Sequence, residues 1–233
     1  QSGFAASADA VSTLDNKQLK ALTQQNQAQP EQESYKGEKF FQQYYVDKSA
    51  AEAQLRDNRY LSSSFCQGTW ITPINPQTKP SDANNTTSVI TADYGHYNPE
   101  GDSFLQGNVI IDQEGRSIRA DQVTIDSTQT HAKAQGQVQL AQSGLLTQSD
   151  EIDYNLKTQT GDLNNSLYIS EQQHAHGYAS QIQRQNEKLV VLKDASYTAC
   201  PPGQKPAWKI QAKHLLVYPL NEEKMVTKIV LQS

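Results

Sequence analysis

Ile118-Arg119-Ala120-Asp121-Gln122-Val123-Thr124-Ile125, followed at a distance by Gly136-Gln137-Val138-Gln139-Leu140, decides the fold. In the first stretch Val123 and Ile125 fall on one side and Thr124 and Asp126 on the other, the period of a half-buried strand. In the second, Val138 and Leu140 alternate with Gln139 in the same way. Upstream, Gly107-Asn108-Val109-Ile110-Ile111-Asp112 sets Val109 and Ile111 on one face. Short stretches with one apolar face, separated by turn residues, read as antiparallel sheet.

The same texture runs outward to the carboxy terminus. Ile152 and Tyr154, Leu167 and Ile169, Ile182, Leu189 and Val191, Trp208 and Ile210, Leu215 and Val217, then Ile229 and Leu231, continue the alternation. A repeat lies over it. Ala92-Asp93 recurs as Ala120-Asp121, and loosely as Ser149-Asp150 and Ala179-Ser180, while Gly107-Asn108-Val109 recurs as Gly136-Gln137-Val138, a period of about 28 to 30 residues. Each unit is then two strands and two turns, with glycine where a turn or bulge needs a permissive backbone. A hairpin with one apolar face cannot bury that face alone, so the units are expected to stack across two facing sheets, as a jellyroll or a short solenoid. The repeat length favours antiparallel hairpins over a parallel β-helix. Asp93 and Asp121 occupy equivalent places and are read as turn-holding residues, since an acid–base pair wants unlike environments and symmetry supplies like ones.

Composition sets the domain boundary. Apolar residues make up 36% of the chain and the mean hydropathy is −0.73, polar enough that part of the sequence is expected not to fold. Residues 1–62, centred on Gln24-Gln25-Asn26-Gln27-Ala28-Gln29-Pro30, read as a largely disordered Gln-rich arm, and residues 63–233 as the β domain. Phe40, Phe41, Tyr44 and Tyr45 are the arm's one aromatic cluster; it reads as local clustering, with docking as the alternative. A net charge of −5 with singly scattered Lys and Arg argues against a nucleic-acid groove. No apolar run reaches the roughly 18 to 20 residues of a membrane helix. The chain starts at Gln1 without a charged and then apolar leader, so a soluble mature product or excised piece is expected.

Catalytic chemistry is sparse. His174 and His176 would share one face of a strand and so form a metal pair, but Gln172, Gln173 and Gly177 around them read as a solvated strand end, with no carboxylate at ligand spacing. His96, His131 and His214 are isolated, and there is no phosphate loop, nucleophile elbow or zinc-protease helix. No catalytic residue, metal or cofactor is assigned, and the chain is read as a non-enzyme. What the repeats offer is an inner face: Val109, Ile111, Val123, Ile125, Val138, Leu140, Ile152 and Tyr154, continued by Leu167, Ile169, Ile182, Val191, Trp208 and Ile210. Each of these alone is also what an ordinary core would contain. Together they would line a trough for an acyl chain, whose burial at roughly 0.8 kcal/mol per methylene reaches about 10 kcal/mol for a dozen carbons.

Ile90-Thr91-Ala92-Asp93, Leu105-Gln106-Gly107-Asn108-Val109 and Ile118-Arg119-Ala120-Asp121-Gln122-Val123 resemble the periplasmic lipopolysaccharide-transport jellyrolls, the OstA-like family. Ser64-Phe65-Cys66-Gln67-Gly68, and Asp194 through Thr198-Ala199-Cys200-Pro201-Pro202-Gly203 with Trp208 following, resemble the branch in which the jellyroll precedes an outer-membrane barrel. The similarity covers about Phe65 to the end. It implies a twisted antiparallel β-jellyroll at the periplasmic face of the outer membrane, with lipopolysaccharide as cargo. Its implied partners are a periplasmic bridge protein joined by edge-strand addition, the chain's own carboxy-terminal barrel, and that barrel's lipoprotein plug. Ser88 to Ala92 is the candidate receiving edge. The resemblance further implies that Cys66 and Cys200 form disulfides with an adjacent cysteine pair in the barrel, which these 233 residues do not contain. Here the two are either free thiols or paired with each other, a long loop worth about 5 kcal/mol in the chain-entropy account. Rival readings are the soluble bridge protein, a ligand-free adhesin repeat, and a carbohydrate-binding jellyroll recruiting Trp70, Trp208 and the tyrosines. Against the last, Trp208 falls in phase with Ile210 on the inner face.

Overall fold

The computed structural model describes residues 37–47, 68–74, 88–142, 144–155, 157–158, 160–186, 189–203, 205–217 and the backbone of 229–232. In chain order the elements are helix α1 (Glu38–Tyr44), strands β1 (Tyr45–Asp47) and β2 (Gly68–Trp70), then β3 (Val89–Thr91), β4 (Tyr94–His96), β5 (Ser103–Gln113), β6 (Arg116–Ile125), β7 (His131–Gln142), β8 (Leu145–Asn155), β9 (Thr160–Ser170), β10 (Ala175–Asn186), β11 (Leu189–Tyr197), β12 (Ile210–Val217) and β13 (Ile229–Gln232). The fold is all-β and antiparallel, as the alternation requires. The two facing sheets of the expectation are halves of one: β3 to β13 form a single 11-stranded sheet, a meander from β5 onward, with β3 and β4 pairing different parts of β5.

The repeat explains how one sheet encloses a core. Register shifts fall between Gln106 and Val109 on β5, Arg119 and Gln122 on β6, and Gln135 and Val138 on β7. Backbone of positive φ stands at Gly107 and Asn108, Gly136 and Gln137, then Asn165 and Asp194, one bulge per hairpin. The Ala-Asp motif holds these bulges. Asn108 Nδ2 donates to Asp93 at 2.8 Å, Asn165 Nδ2 to Asp150 at 2.9 Å, and the Ser180 hydroxyl to Asp194 at 3.1 Å. Gly136, at φ 80°, lies so close to the Asp121 carboxylate that a Cβ would collide with it. The turn-holding reading of Asp93 and Asp121 therefore matches the structure.

Each bulge resets which residues face inward. On β6 Ile118 and Ala120 face the core before the shift and Val123 and Ile125 after it; on β9 Leu163 does so before Asn165 and Tyr168 after it. Both halves of the bent sheet thus turn apolar rows into one interior.

A second layer covers part of the outer face. Phe40 and Phe41 of α1 and Trp70 of β2 pack on Ala141, Leu146 and Ile169, cross-strand neighbours on β7, β8 and β9. Leu146 is 1% and Ile169 0% exposed, and burying each is worth roughly 1.5–3 kcal/mol. The aromatic cluster is therefore not loose clustering: residues 38–47 fold because the sheet presents an apolar outer patch that needs cover. The remainder of the 1–62 arm lies outside the described residues.

Candidate functional site

The inner face is the candidate site. Val109, Val123, Val138, Ile152 and Ile182 are buried in it, Val138 with no exposure at all. Ile111, Ile125, Leu140 and Tyr154 sit half-buried against the same cluster, at its margins. These nine expected positions converge.

Five others do not. Leu167 and Ile169 face outward into the α1 and β2 layer, because the Asn165 bulge shifts the phase of β9 and puts Tyr168 inside instead. Val191 is buried but lies between Gln183 and Leu216 on the face opposite Val190 and Leu192. Trp208 precedes β12, is 46% exposed, and meets the Tyr197 ring at 6.1 Å from outside the strand, so it is not an inner residue. Ile210 is half-buried opposite Tyr197, at the fringe of the interior.

Several inner residues carry no obvious sequence signal. Ala120, Ala134, Ala179 and Ala195 are core residues too small to mark a strand face. Tyr168 crosses above Gly177, whose missing side chain makes room, and its hydroxyl donates to the Ser196 carbonyl at 2.7 Å. Burial, aided by neighbouring Tyr197, pushes that hydroxyl far above the usual phenol range, so it stays neutral. The Ser149 and Ser166 hydroxyls bond each other at 2.8 Å in the buried interior. From β5 to β11 the pairing places every described Asp and Glu on the outer face or in turns and bulges. Among the described residues this face is mainly apolar and free of carboxylates, a lining of the kind hydrocarbon fits.

The histidine pair separates. His174 sits in the turn after β9 with φ 48°, whereas His176 is on β10, its ring 4.4 Å from that of Phe41 and 4.7 Å from that of Trp70. Burial pulls the His176 imidazole down to about 4 and lowers His174 as well. Beside them Glu171 accepts from the Thr72 backbone N–H, and burial raises its carboxyl. This buried aromatic and polar cluster clamps the outer layer. Trp70, 2% exposed, offers no platform for a sugar.

The sheet edge carries a group of exposed apolar residues. On β3, Val89 and Ile90 are 61% and 50% exposed, and Tyr94, Tyr97 and Phe104 flank them in the open. The other side of this expected receiving edge pairs β5. Cys66 lies outside the described residues. Cys200 is a half-buried free thiol; burial pushes it up, but hydrogen bonds with Thr198 and the Trp208 and Ala207 backbone outweigh this and leave it below its ordinary range.

Comparison with known proteins agrees with this geometry. Residues 89–223, more than half of the chain, match the family described as LptA/(LptD N-terminal domain) LPS transport protein. The LPS-assembly protein LptD of Acinetobacter baumannii (strain ATCC 19606) is 68% identical over 223 residues, covering 96% of this chain and 26% of that protein. Its counterpart in Acinetobacter baylyi is 60% identical over 215 residues, covering 92% and 25%. This chain spans about a quarter of the length of those relatives. The resemblance to the barrel-bearing branch, carried by the two cysteine segments, is met by these matches. A crystal structure of LptH, the LptA homologous periplasmic component of the lipopolysaccharide transport device from Pseudomonas aeruginosa, is 14% identical with a TM-score of 0.43, over 66% of this chain and all of that one.

Proposed function

The chain belongs to the LptA/(LptD N-terminal domain) LPS transport protein family, and from that premise we propose that it is a periplasmic carrier stage that covers the acyl chains of lipopolysaccharide on their way to the outer membrane. The observation that carries this reading is the continuous, mainly aliphatic inner face, contributed by consecutive strands from β5 to β12 and bare of carboxylates among the described residues. The rims at Ile125, Leu140 and Tyr154 are where a chain would enter as the two halves part.

The exposed β3 edge, with Val89 and Ile90, supports strand addition by a bridge protein, because an edge offers unpaired N–H and C=O groups and continues both sheet and trough. In the full-length protein we place the domain on the periplasmic face of the outer membrane, followed by its own barrel and the barrel's lipoprotein plug. Cys66 and Cys200 would be tied to that barrel by disulfides, with residues 1–62 outside the α1 and β1 segment serving as a tether.

The test is site-specific photo-crosslinking to lipopolysaccharide in cells. Probes at Ile125 and Leu140 should capture it, and probes at the outward Thr124 and Gln139 should not; equal capture at both sets would remove the trough. Trp208 favours one rival, since its exposure leaves it available to a glycan. Binding of deacylated core sugar as tight as that of intact lipopolysaccharide would establish that reading instead.

A further inference from the structure

Two buried hydroxyls on the inner face have no hydrogen-bond partner among the described residues, and both are on β8. Thr147 pairs with Leu140 on β7 and with Tyr168 on β9, both inner residues, so its side chain belongs to the row of Ile118, Leu140 and Tyr168. It is 2% exposed, and its Oγ1 is buried and unpartnered. Toward the other end of the strand Tyr154 pairs with Ala132 and Gly161 in the row of Ile125, and its hydroxyl is buried and unpartnered in the same way.

The neighbouring groups are engaged elsewhere. Tyr168, opposite Thr147, donates its hydroxyl to the Ser196 carbonyl at 2.7 Å, and Ser149, on the same face of β8, is bonded to Ser166 at 2.8 Å. Tyr154 has Ile152 beside it on the inner face and an alanine and a glycine across from it; Arg184, which pairs with that glycine one strand further on, makes no hydrogen bond to it. An unpaired hydroxyl in an apolar interior is worse than an apolar side chain of the same shape, and valine fits a strand at least as well as threonine. Placement adds to this. Thr147 faces the half-buried Leu140, and Tyr154 shares a row with the half-buried Ile125, so the hydroxyls border the two margins of the interior, while its middle is held by Val123, Val138 and Ile152.

We infer that Thr147 and Tyr154 are specificity-determining residues that hydrogen-bond an oxygen carried by the acyl chain, a hydroxyl or an ester carbonyl, and so favour oxygenated chains over plain hydrocarbon. This rests on the lipid-carrier reading and adds to it the part of the lipid that is recognised. A plain methylene chain lying against these hydroxyls leaves them unpaired. A chain oxygen at the margin, where the chain passes from hydrocarbon to its linkage with the head, completes them and regains there the hydrogen bond it gave up to water. The aliphatic rows between the margins offer no such discrimination, since a hydrophobic lining separates chains only weakly by one polar group.

The experiment uses the full chain with a photo-reactive residue at Ile118, in the row of Thr147, and in a second protein at Ile125, in the row of Tyr154. Capture of lipopolysaccharide is competed with dodecanoic acid, β-hydroxydodecanoic acid and β-acetoxydodecanoic acid, in wild type and in the Thr147→Val/Tyr154→Phe double variant. A chain oxygen is costly to dry, so the variant should discriminate against the oxygenated competitors. In wild type the two hydroxyls offset that cost, and the ratio of oxygenated to plain inhibition should be about tenfold more favourable than in the variant. Thr147→Ser/Tyr154→Phe, which keeps one hydroxyl, should recover part of the difference at Ile118. The double variant should melt at or above the wild-type temperature, because it loses hydroxyls that have no partner in the free fold. A shifted ratio with the hydroxylated chain or with its ester upholds the inference and tells which oxygen is recognised. A ratio unchanged in the folded variant overturns it and leaves the trough standing. A lower melting temperature overturns it as well, since the hydroxyls would then be serving the fold. Capture of lipopolysaccharide at neither position in wild type overturns the carrier reading itself.

Discussion

Phe41→Ala should release the outer layer while leaving the main sheet folded. Phe41 is 8% exposed and its ring meets Phe40 at 5.5 Å, Trp70 at 6.2 Å and His176 at 4.4 Å. Truncating a buried phenylalanine costs about 3–5 kcal/mol, and the ring pairs contribute a further ~0.5–1.5 kcal/mol each beyond area. The layer has little stability of its own: α1 has 7 residues and β1 and β2 have 3 each, and isolated helices below about 12 residues are marginal in water. The loss therefore exceeds what the layer can absorb, whereas the sheet keeps its own separate interior cluster.

Tryptophan emission reads the outcome. Trp70 is 2% and Trp208 46% exposed, so in a Trp208→Phe background the remaining signal reports the layer alone. Phe41→Ala should shift Trp70 emission to the red and open it to quencher, with the far-ultraviolet sheet signal retained. At the same time the His176 imidazole, held near 4 by burial, should titrate closer to its ordinary 6.5 by NMR. A Trp70 that stays blue and protected, or a sheet that melts together with the layer, would refute the reasoning.

Three further outcomes follow from particular contacts. His176 is neutral and buried in the folded chain but protonates readily when unfolded, so its contribution to stability is full above pH 6.5 and is lost as pH falls toward about 4, a loss of roughly 3 kcal/mol. Burial raises Glu171, which acts in the opposite sense and gains stability as pH falls, so His176→Gln should flatten or reverse the acid limb of a denaturation series. Gly136→Val forces a β-branched residue into φ 80° against Asp121, and should cost at least ~1–2 kcal/mol, seen as a Tm several degrees lower. Ser149→Ala leaves the buried Ser166 hydroxyl unpaired and should cost about 1–3 kcal/mol, while the Ser149→Ala/Ser166→Ala pair costs less than the sum of the singles in a double-mutant cycle.

What the sequence made legible is what local alternation encodes. Val123 with Ile125 and Val138 with Leu140 were readable because each pair lies wholly on one side of a bulge. Leu167 and Ile169 were not: they alternate just as cleanly, but the Asn165 bulge hands the interior to Tyr168, and their own face is apolar because a second layer covers it. The repeated Ala-Asp motif announced the bulges, yet which residues lie inside after a bulge depends on the pairing register, a property of two strands. Trp208 keeps phase with Ile210, but phase says nothing where no strand exists, and Pro201, Pro202, Gly203 and Pro206 ahead of it signal a loop.

On the proposed carrier reading the interior serves as core and as path, and its composition reconciles the two. At rest Val109, Val138 and Leu215 are 1%, 0% and 2% exposed, so the rows are closed upon themselves. An acyl chain entering between them exchanges aliphatic contact for aliphatic contact: each methylene it buries is worth roughly 0.8 kcal/mol, against a comparable gain surrendered between the halves that part. The exchange is close to neutral, so a chain can be admitted without being trapped. A carboxylate on this face would upset that balance by stranding a charge against hydrocarbon. Serine and threonine inside are tolerable where they satisfy each other, as Ser149 and Ser166 do. The bulge column assists, because the halves are joined through one bend per hairpin and can splay about it without breaking the ladders on either side. Locking that bend is therefore the sharpest discriminator between a core and a path. Cysteines introduced at Val109 and Leu215, on strands at opposite ends of the sheet but in one interior cluster, and joined by a reducible bifunctional thiol reagent in a Cys66→Ser/Cys200→Ser background, should abolish lipid capture at Leu140, with reduction of the linker restoring it; undiminished capture by the cross-linked protein would show that the cargo does not pass between the rows.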